Sequence, residues 1–428
     1  MAVPICTLGC FALGLDAFEL STVLALPLIA TLVFAYRFDF TNAWVAFTIP
    51  WLIVLLFSTL DISEFSRIVA PETVGIVMLG LVVGLILIPP SRPTVMGFDP
   101  FKVNRTAFGA LFGVFVGFTV LNIALAGFVP LLQAVSTGDS GYSDFGLRGL
   151  YGLYNAFANA FGITAFYLWQ RDGKQLYRNA FWMVVVVFIL FVTRQNLVSL
   201  AVECFAIHNL CVRRSPRWLL VGGAAAALVA FALLGDLRIS GGDGIAELAQ
   251  IRANLLWLPH SIMWLYSYSY FNILNLDNVA TTFVQPALDG LSLTQLIPSF
   301  LRPEGNLNDA DLIEVAAFNV TSYASPVFRD LGYIGIAAVV GLFALLTRTC
   351  LLIAQRRNYF LALTAYAVLF FCFAFSFFVN FWFYLPVIFQ LVFLCLFSRV
   401  IRIRTPRRKS AYRQARNTRF DTPVSDIR

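Results

Sequence analysis

Charge is what this sequence has least of. Lys, Arg, Asp and Glu together make 12% of its 428 residues, against about a quarter in ordinary soluble domains. Apolar residues reach 59% and the mean hydropathy is +0.80, which excludes a soluble globule and places the chain in lipid. Lysine is nearly missing: Lys102, Lys174 and Lys409 stand against 27 arginines. The seven cysteines contain no CxxC pair and lie mostly within apolar runs. A zinc site or a disulfide framework is therefore not implied, and the cysteines read as small core residues. No repeat of 20–50 residues is apparent, nor a matched pair of Gly- or Pro-broken helices in the two halves, which speaks against a transporter built from repeats.

What is present are apolar blocks near the ~20 residues needed to cross a ~30 Å hydrocarbon core. They predict spans at 18–36, 42–58, 72–88, 104–127, 149–169, a bent pair across 178–211, then 217–235, 331–352, 358–378 and 380–400. Their continuity favours helices over the ~10-residue alternating segments of a membrane barrel. The expected fold is all-α: a polytopic membrane helix bundle of about eleven transmembrane helices, with one large extracytoplasmic loop containing amphipathic helices. Four regions follow: an N-terminal bundle over 1–235, the loop over 236–330, three C-terminal spans over 331–400 and a basic tail over 401–428. The opening stretch Met1–Ala17 has no basic start and precedes Glu19, so it reads as an interfacial segment.

Basic residues set the orientation. With the tail in the cytoplasm, 23 of the 30 Lys and Arg fall in cytoplasmic turns, as the positive-inside rule requires, while the reverse topology leaves seven inside. The net charge of +7 is no sign of nucleic acid, because the basic tail carries it and reads as an anchor for anionic lipid heads.

Function is expected where composition departs from lipid compatibility: Phe128–Arg148, the Thr193-Arg194-Gln195-Asn196 break, and Asp236–Asp330. Helices over Ala180–Thr193 and Leu197–Leu210 would each rise only roughly 21 Å, so the turn between them would lie below the membrane surface. A charge in hydrocarbon costs at least ~2.5 kcal/mol. Arg194 should therefore line a wet cavity or meet an anion; in an ordinary loop it would instead snorkel outward.

The long loop holds ten acids, and its four bases are all arginine: Arg238, Arg252, Arg302 and Arg329. Guanidinium grips phosphate bidentately and keeps its charge, as a diphosphate site would require. Leu248, Ile251, Leu255, Leu258, Ile262 and Leu265 recur at helical spacing, predicting an amphipathic helix that presents Arg252 and His260 away from its stripe. Tyr266, Tyr268, Tyr270 and Phe271 follow, then Asn272, Asn275, Asp277 and Asn278. Aromatic faces beside amides suit sugar rings, and an interfacial aromatic belt has the same composition.

Gly127–Leu132 leading to Leu147-Arg148-Gly149, then Thr193-Arg194-Gln195, Tyr270–Leu276, Asn319-Val320-Thr321 and Phe328–Gly335 resembles the oligosaccharide repeat-unit polymerases, the Wzy-type O-antigen polymerases, from about residue 40 to 400. The resemblance implies a glycosyltransferase in the bacterial inner membrane. It would move a growing glycan from polyprenyl diphosphate onto a second lipid-linked repeat unit at the extracytoplasmic face, with no metal and no other cofactor. By this resemblance Arg148, Arg194 and Arg329 bind the diphosphate, and Arg252 joins them from its expected helix; Tyr270, Asn272 and Asn275 meet sugar. Where the family's outer-loop basic motif carries glycine, this chain has Asn159, eleven residues after Arg148.

An attacking hydroxyl gains from a general base, and Asp277, His260 and Asp330 adjoin the proposed elements; Asp330 could equally orient Arg329. His208, inside a span, reads as a core residue. Implied partners are the lipid-linked donor and acceptor, membrane lipids and a chain-length regulator protein, with no nucleic acid. Two other classes share these features: a glycan ligase of the O-antigen ligase type, and a flippase or transporter of a lipid-linked glycan. A structural subunit of an export complex is the plainest alternative.

Overall fold

Asn42 and Asn104 each turn a side-chain oxygen onto an orphan amide of the helix that follows, at Trp44 and Ala107. Gly127 and Gly173 take the left-handed conformation that ends one. Between such signals the chain, in a computed structural model, folds as α-helices joined to one short strand pair. The structure describes residues 17–90, 96–137, 141, 144–146, 149–212, 244–298, 301, 312–315, 318, 321–357 and 359–403, with 17–22 described by backbone alone.

The helices are α1 (Ala17–Phe34), α2 (Ala43–Phe57), α3 (Pro71–Leu87), α4 (Arg105–Ala126), α5 (Pro130–Thr137), α6 (Leu150–Asp172), α7 (Gln175–Leu190), α8 (Arg194–Cys211), α9 (Gly244–Leu248), α10 (His260–Thr282), α11 (Ala324–Arg357), α12 (Phe360–Ala374) and α13 (Leu385–Val400). Strands β1 (Lys102–Val103) and β2 (Arg402–Ile403) pair antiparallel. One group packs α2, α3, α10 and α11 together, and another α4, α6, α7, α8 and α13; α12 touches α2, α8, α11 and α13 and so joins them. At the junction Trp51 donates its indole N–H to Ser376, and Trp382 stacks on Phe343 with ring centres 5.2 Å apart. Arg105–Thr137 and Ala324–Arg357 are long and apolar enough to cross a membrane, and six shorter helices are apolar over 10–17 residues.

Connections between helices alternate between two polar ends. At the first, the Tyr36 hydroxyl donates to Ile88 O, the Met96 amide to Leu210 O and the Asn104 amide to Ile401 O. Asp99 knots this end together: it accepts from the Phe360 amide at 3.0 Å and pairs with Arg402 at 2.9 Å, while Arg171 donates to its carbonyl. At the second end lie the 58–70 connection, the α7–α8 turn, α10 and the 375–384 connection. Arg105, Arg171, Lys174, Arg356, Arg357 and Arg402 belong to the first end; Arg67, Arg194, Arg252 and Arg329 belong to the second.

Several expected boundaries shift. The bent pair is a hairpin of helices 16 and 18 residues long, rising about 24 and 27 Å, so helix shortness no longer sinks the turn. Its break lies at Phe191–Thr193, with Val192 at φ 54°, and Arg194 begins α8. The amphipathic helix over 248–265 does not form. Pro259 supplies no amide and bars helix at Leu258, so the stretch splits into α9, a 3-10 turn at Ala253–Leu255, and α10, which starts at His260. Ile251 instead bridges to Ser63, and the Arg252 amide donates to Ile62 O. The span expected at 331–352 is part of a 34-residue helix that begins at Ala324. The expected span 217–235, Met1–Asp16 and the tail from Arg404 lie outside the described residues.

Helix α11 bends at Gly332, whose φ of 60° and ψ of −152° suit glycine almost alone. Gly332→Ala is expected to lose about 1–3 kcal/mol, read as a lower unfolding midpoint in detergent. Gly341→Ala in the same helix, where a Cβ meets ordinary contacts at 3.6 Å, leaves the midpoint near wild type. An unchanged midpoint for Gly332→Ala would show that the bend relaxes at no cost.

Candidate functional site

Helix α10 lies across the second end. Its successive residues follow the 58–70 connection: Tyr266 meets Ser66, the Tyr270 hydroxyl accepts from the Arg67 amide at 2.8 Å, and Asp277 accepts from the Ala70 amide at 2.7 Å and the Thr73 hydroxyl at 2.6 Å. Asp277 thus supplies the N-terminal cap that Ala70 cannot give α3. Arg67 is the hub beside it. Its guanidinium donates to Asn278, approaches Glu314 at 3.2 Å and lies 3.7 Å from Asp277.

The residues expected to meet sugar sit inside this packing. Tyr270 and Asn275 are 0% exposed, and Tyr270 stacks on Tyr266 at 5.0 Å, so its ring faces are covered by protein. Asn275 donates to Phe318 O and accepts from the Glu314 amide, fixing the 312–318 stretch onto α10. Asn272 donates to Tyr268 O one turn back, and its own Oδ1 is buried without a partner.

Two expected diphosphate ligands already hold carboxylates. Arg252 reaches Asp61 at 2.6 Å and Glu64 at 4.0 Å. Arg329 reaches Asp289 at 2.6 Å and lies over the Phe283 ring. A hydrogen bond shared with the Asp330 carboxyl, then the Leu291 amide and the Arg329 charge, hold Asp289 below the usual carboxylate range against its partial burial. Asp330 itself is buried and accepts from the Leu291 and Ser292 amides and the Ser292 hydroxyl, capping the 3-10 turn Leu291–Leu296. His260 is exposed at the start of α10. Arg148 lies outside the described residues.

Arg194 has a different setting. It is half-buried at the start of α8, and the next two residues, Gln195 and Asn196, line a small hollow of about 10 Å³, the size of one hydroxyl or water, walled also by Asn159 of α6, Ser199 of α8, Phe371 of α12, and Tyr384 and Gln390 at α13. Asn159 donates to Asn196 at 3.1 Å. Deeper on α8, Glu203 is fully buried and accepts from Ser199 at 2.8 Å and from Gln390 at 2.9 and 2.8 Å.

The structure therefore brings Asp277, Tyr270 and Asn275 into one cluster around Arg67, and Arg329 and Asp330 into another, with Arg252 held against the 58–70 connection and Arg194 beside the hollow. Sequence reading passed over Arg67, Ser199, Glu203 and Gln390. A carboxyl inside an expected span with no cation near it in sequence was the available signal for Glu203, because such a group is expensive unless it has a task. Among the described residues no group of three His, Cys, Asp or Glu side chains is gathered as a metal site. Comparison with protein-family models, with curated proteins and with solved structures finds no match for this chain.

Proposed function

We propose that the chain is a multi-pass protein of the bacterial inner membrane that polymerises polyprenyl-diphosphate-linked oligosaccharide repeat units, with the second end of the bundle on the extracytoplasmic side. Supporting the orientation, the described basic residues crowd the first end, as cytoplasmic turns do. Supporting the chemistry is one observation above all: Arg194 stands at the start of α8, next in the chain to a small hollow lined by neutral amides and hydroxyls together with apolar side chains. A diphosphate leaving group needs a fixed cation where its charge develops, and a sugar needs paired donors and acceptors nearby. Arg252 and Arg329 would exchange a carboxylate for phosphate on binding it, Arg194 is the ligand nearest the hollow in sequence, and Arg148 is assigned by resemblance alone.

The test is incubation of the purified protein in lipid nanodiscs with its polyprenyl-diphosphate repeat unit. A ladder of glycans is expected, undiminished by chelator. Absence of any transfer would overturn the reading; a single transfer to a lipid core without a ladder would make the protein a ligase, and loss on chelation would contradict metal-independent transfer.

A further inference from the structure

The polymerase reading leaves the acceptor hydroxyl in search of a proton acceptor. Asp277 holds the start of α3 with one oxygen and turns the other toward Arg67, Asp330 spends both oxygens on the 3-10 turn, and His260 lies out on the surface of α10. Glu203 differs from each. It is 0% exposed, and its described hydrogen-bond partners, Ser199 and Gln390, are both neutral. Those two residues also form part of the wall of the hollow. The carboxyl is thus linked to the cavity through one hydroxyl and one amide.

The wall carries a second, independent sign of a ligand. Asn159 is 5% exposed, and while its amide nitrogen donates to Asn196, its Oδ1 has no partner. Asn159 belongs to the lining of the hollow, and a buried acceptor left unpaired is a place for a donor. An unpaired acceptor on one wall and a serine hydroxyl tied to a carboxyl on another match a neutral, hydroxylated ligand rather than an anion.

We infer that the hollow receives the attacking hydroxyl of the acceptor sugar and that Glu203 takes its proton through Ser199, an assignment that rests on the polymerase reading. As the acceptor oxygen bonds to the donor's anomeric carbon, the bond from that carbon to the diphosphate oxygen breaks. Its electron pair leaves with polyprenyl diphosphate, whose charge Arg194 meets. The acceptor's proton passes to Ser199 Oγ, and the proton that Ser199 donates to Glu203 Oε1 passes to the carboxylate. Glu203 ends as the acid and returns its proton to water after product leaves. Ser199 is the residue in contact with substrate. Glu203 acts through it as a positioning residue and terminal acceptor, kept aligned by the Gln390 amide.

Glu203→Gln is the test, since glutamine keeps the shape and an acceptor for Ser199 but takes no proton. In nanodiscs with the lipid-linked repeat unit, kcat is expected to fall at least ~100-fold, with KM within about twofold of wild type, as for a group that acts after binding. Ser199→Ala should lower kcat in the same way, and Glu203→Asp should recover part of the rate. A Glu203→Gln protein that extends chains at the wild-type rate, or that raises KM alone, overturns the relay. Should Glu203→Gln fail to fold, Ser199→Ala decides, because it leaves the carboxyl in place: wild-type kcat there overturns the relay. A wild-type protein that forms no ladder overturns the polymerase reading and the relay together, whereas a wild-type ladder with an unaffected Glu203→Gln overturns the relay alone.

Discussion

Arg194→Ala is expected to abolish chain extension while the protein stays inserted and abundant. The side chain is half-buried at the start of α8 and is not one of the buried core residues, so its loss should leave the bundle standing. Removing a fixed donor from a developing negative charge costs about 10²–10³ in rate, enough to erase long glycans from a gel. Arg194→Lys keeps the charge but loses the planar fork, and a point charge cannot grip two phosphate oxygens together, so it should rescue poorly. Immunoblotting of membranes alongside glycan electrophoresis separates the outcomes. Long chains surviving in Arg194→Ala would remove Arg194 from the chemistry, and protein missing from the membrane would make it structural.

Asp277→Ala is expected to have the largest effect on stability. Its carboxylate accepts two hydrogen bonds at the start of α3, from the Ala70 amide and the Thr73 hydroxyl, in a nearly buried place, and it faces Arg67. Alanine leaves both donors without a partner, a loss of about 2–4 kcal/mol, and loosens α10 from the start of α3. The unfolding midpoint in detergent should drop by several degrees. Asp277→Asn retains an acceptor for both donors and should keep most of the stability. It should also keep glycan transfer within a few-fold, which a general base at this position would forbid.

Helix placement was readable because uncharged runs of helical length admit few alternatives, and proline, asparagine and glycine mark most of the ends. The two-ended distribution of arginine was readable too, since it depends only on which turn a residue occupies. Helix α10 was misplaced for a specific reason. The leucine and isoleucine spacing from Leu248 to Leu265 continues through Pro259, and the proline overrides the periodicity. The site was harder still. Asp277 caps a helix 207 positions earlier, and Glu203 meets Gln390 187 positions later, distances at which a single sequence carries no pairing signal. Tyr270 and Asn275 looked like sugar ligands because buried packing and carbohydrate recognition draw on the same side chains; only their full burial separates the two.

Asp99 gives the molecule an order of assembly. Its carboxylate is satisfied by the Phe360 amide, 261 residues further on, and by Arg402, 303 residues further on. While the ribosome is still making the middle of the chain, that acid must remain in water, and the β1 segment has nothing to pair with. By then Tyr36 is tied to Ile88 and Met96 to Leu210, but the Asp99 latch closes only when Arg402 arrives. A nascent chain halted just before Arg402 should therefore be cut by protease around residues 99–104, and one released just after it should resist.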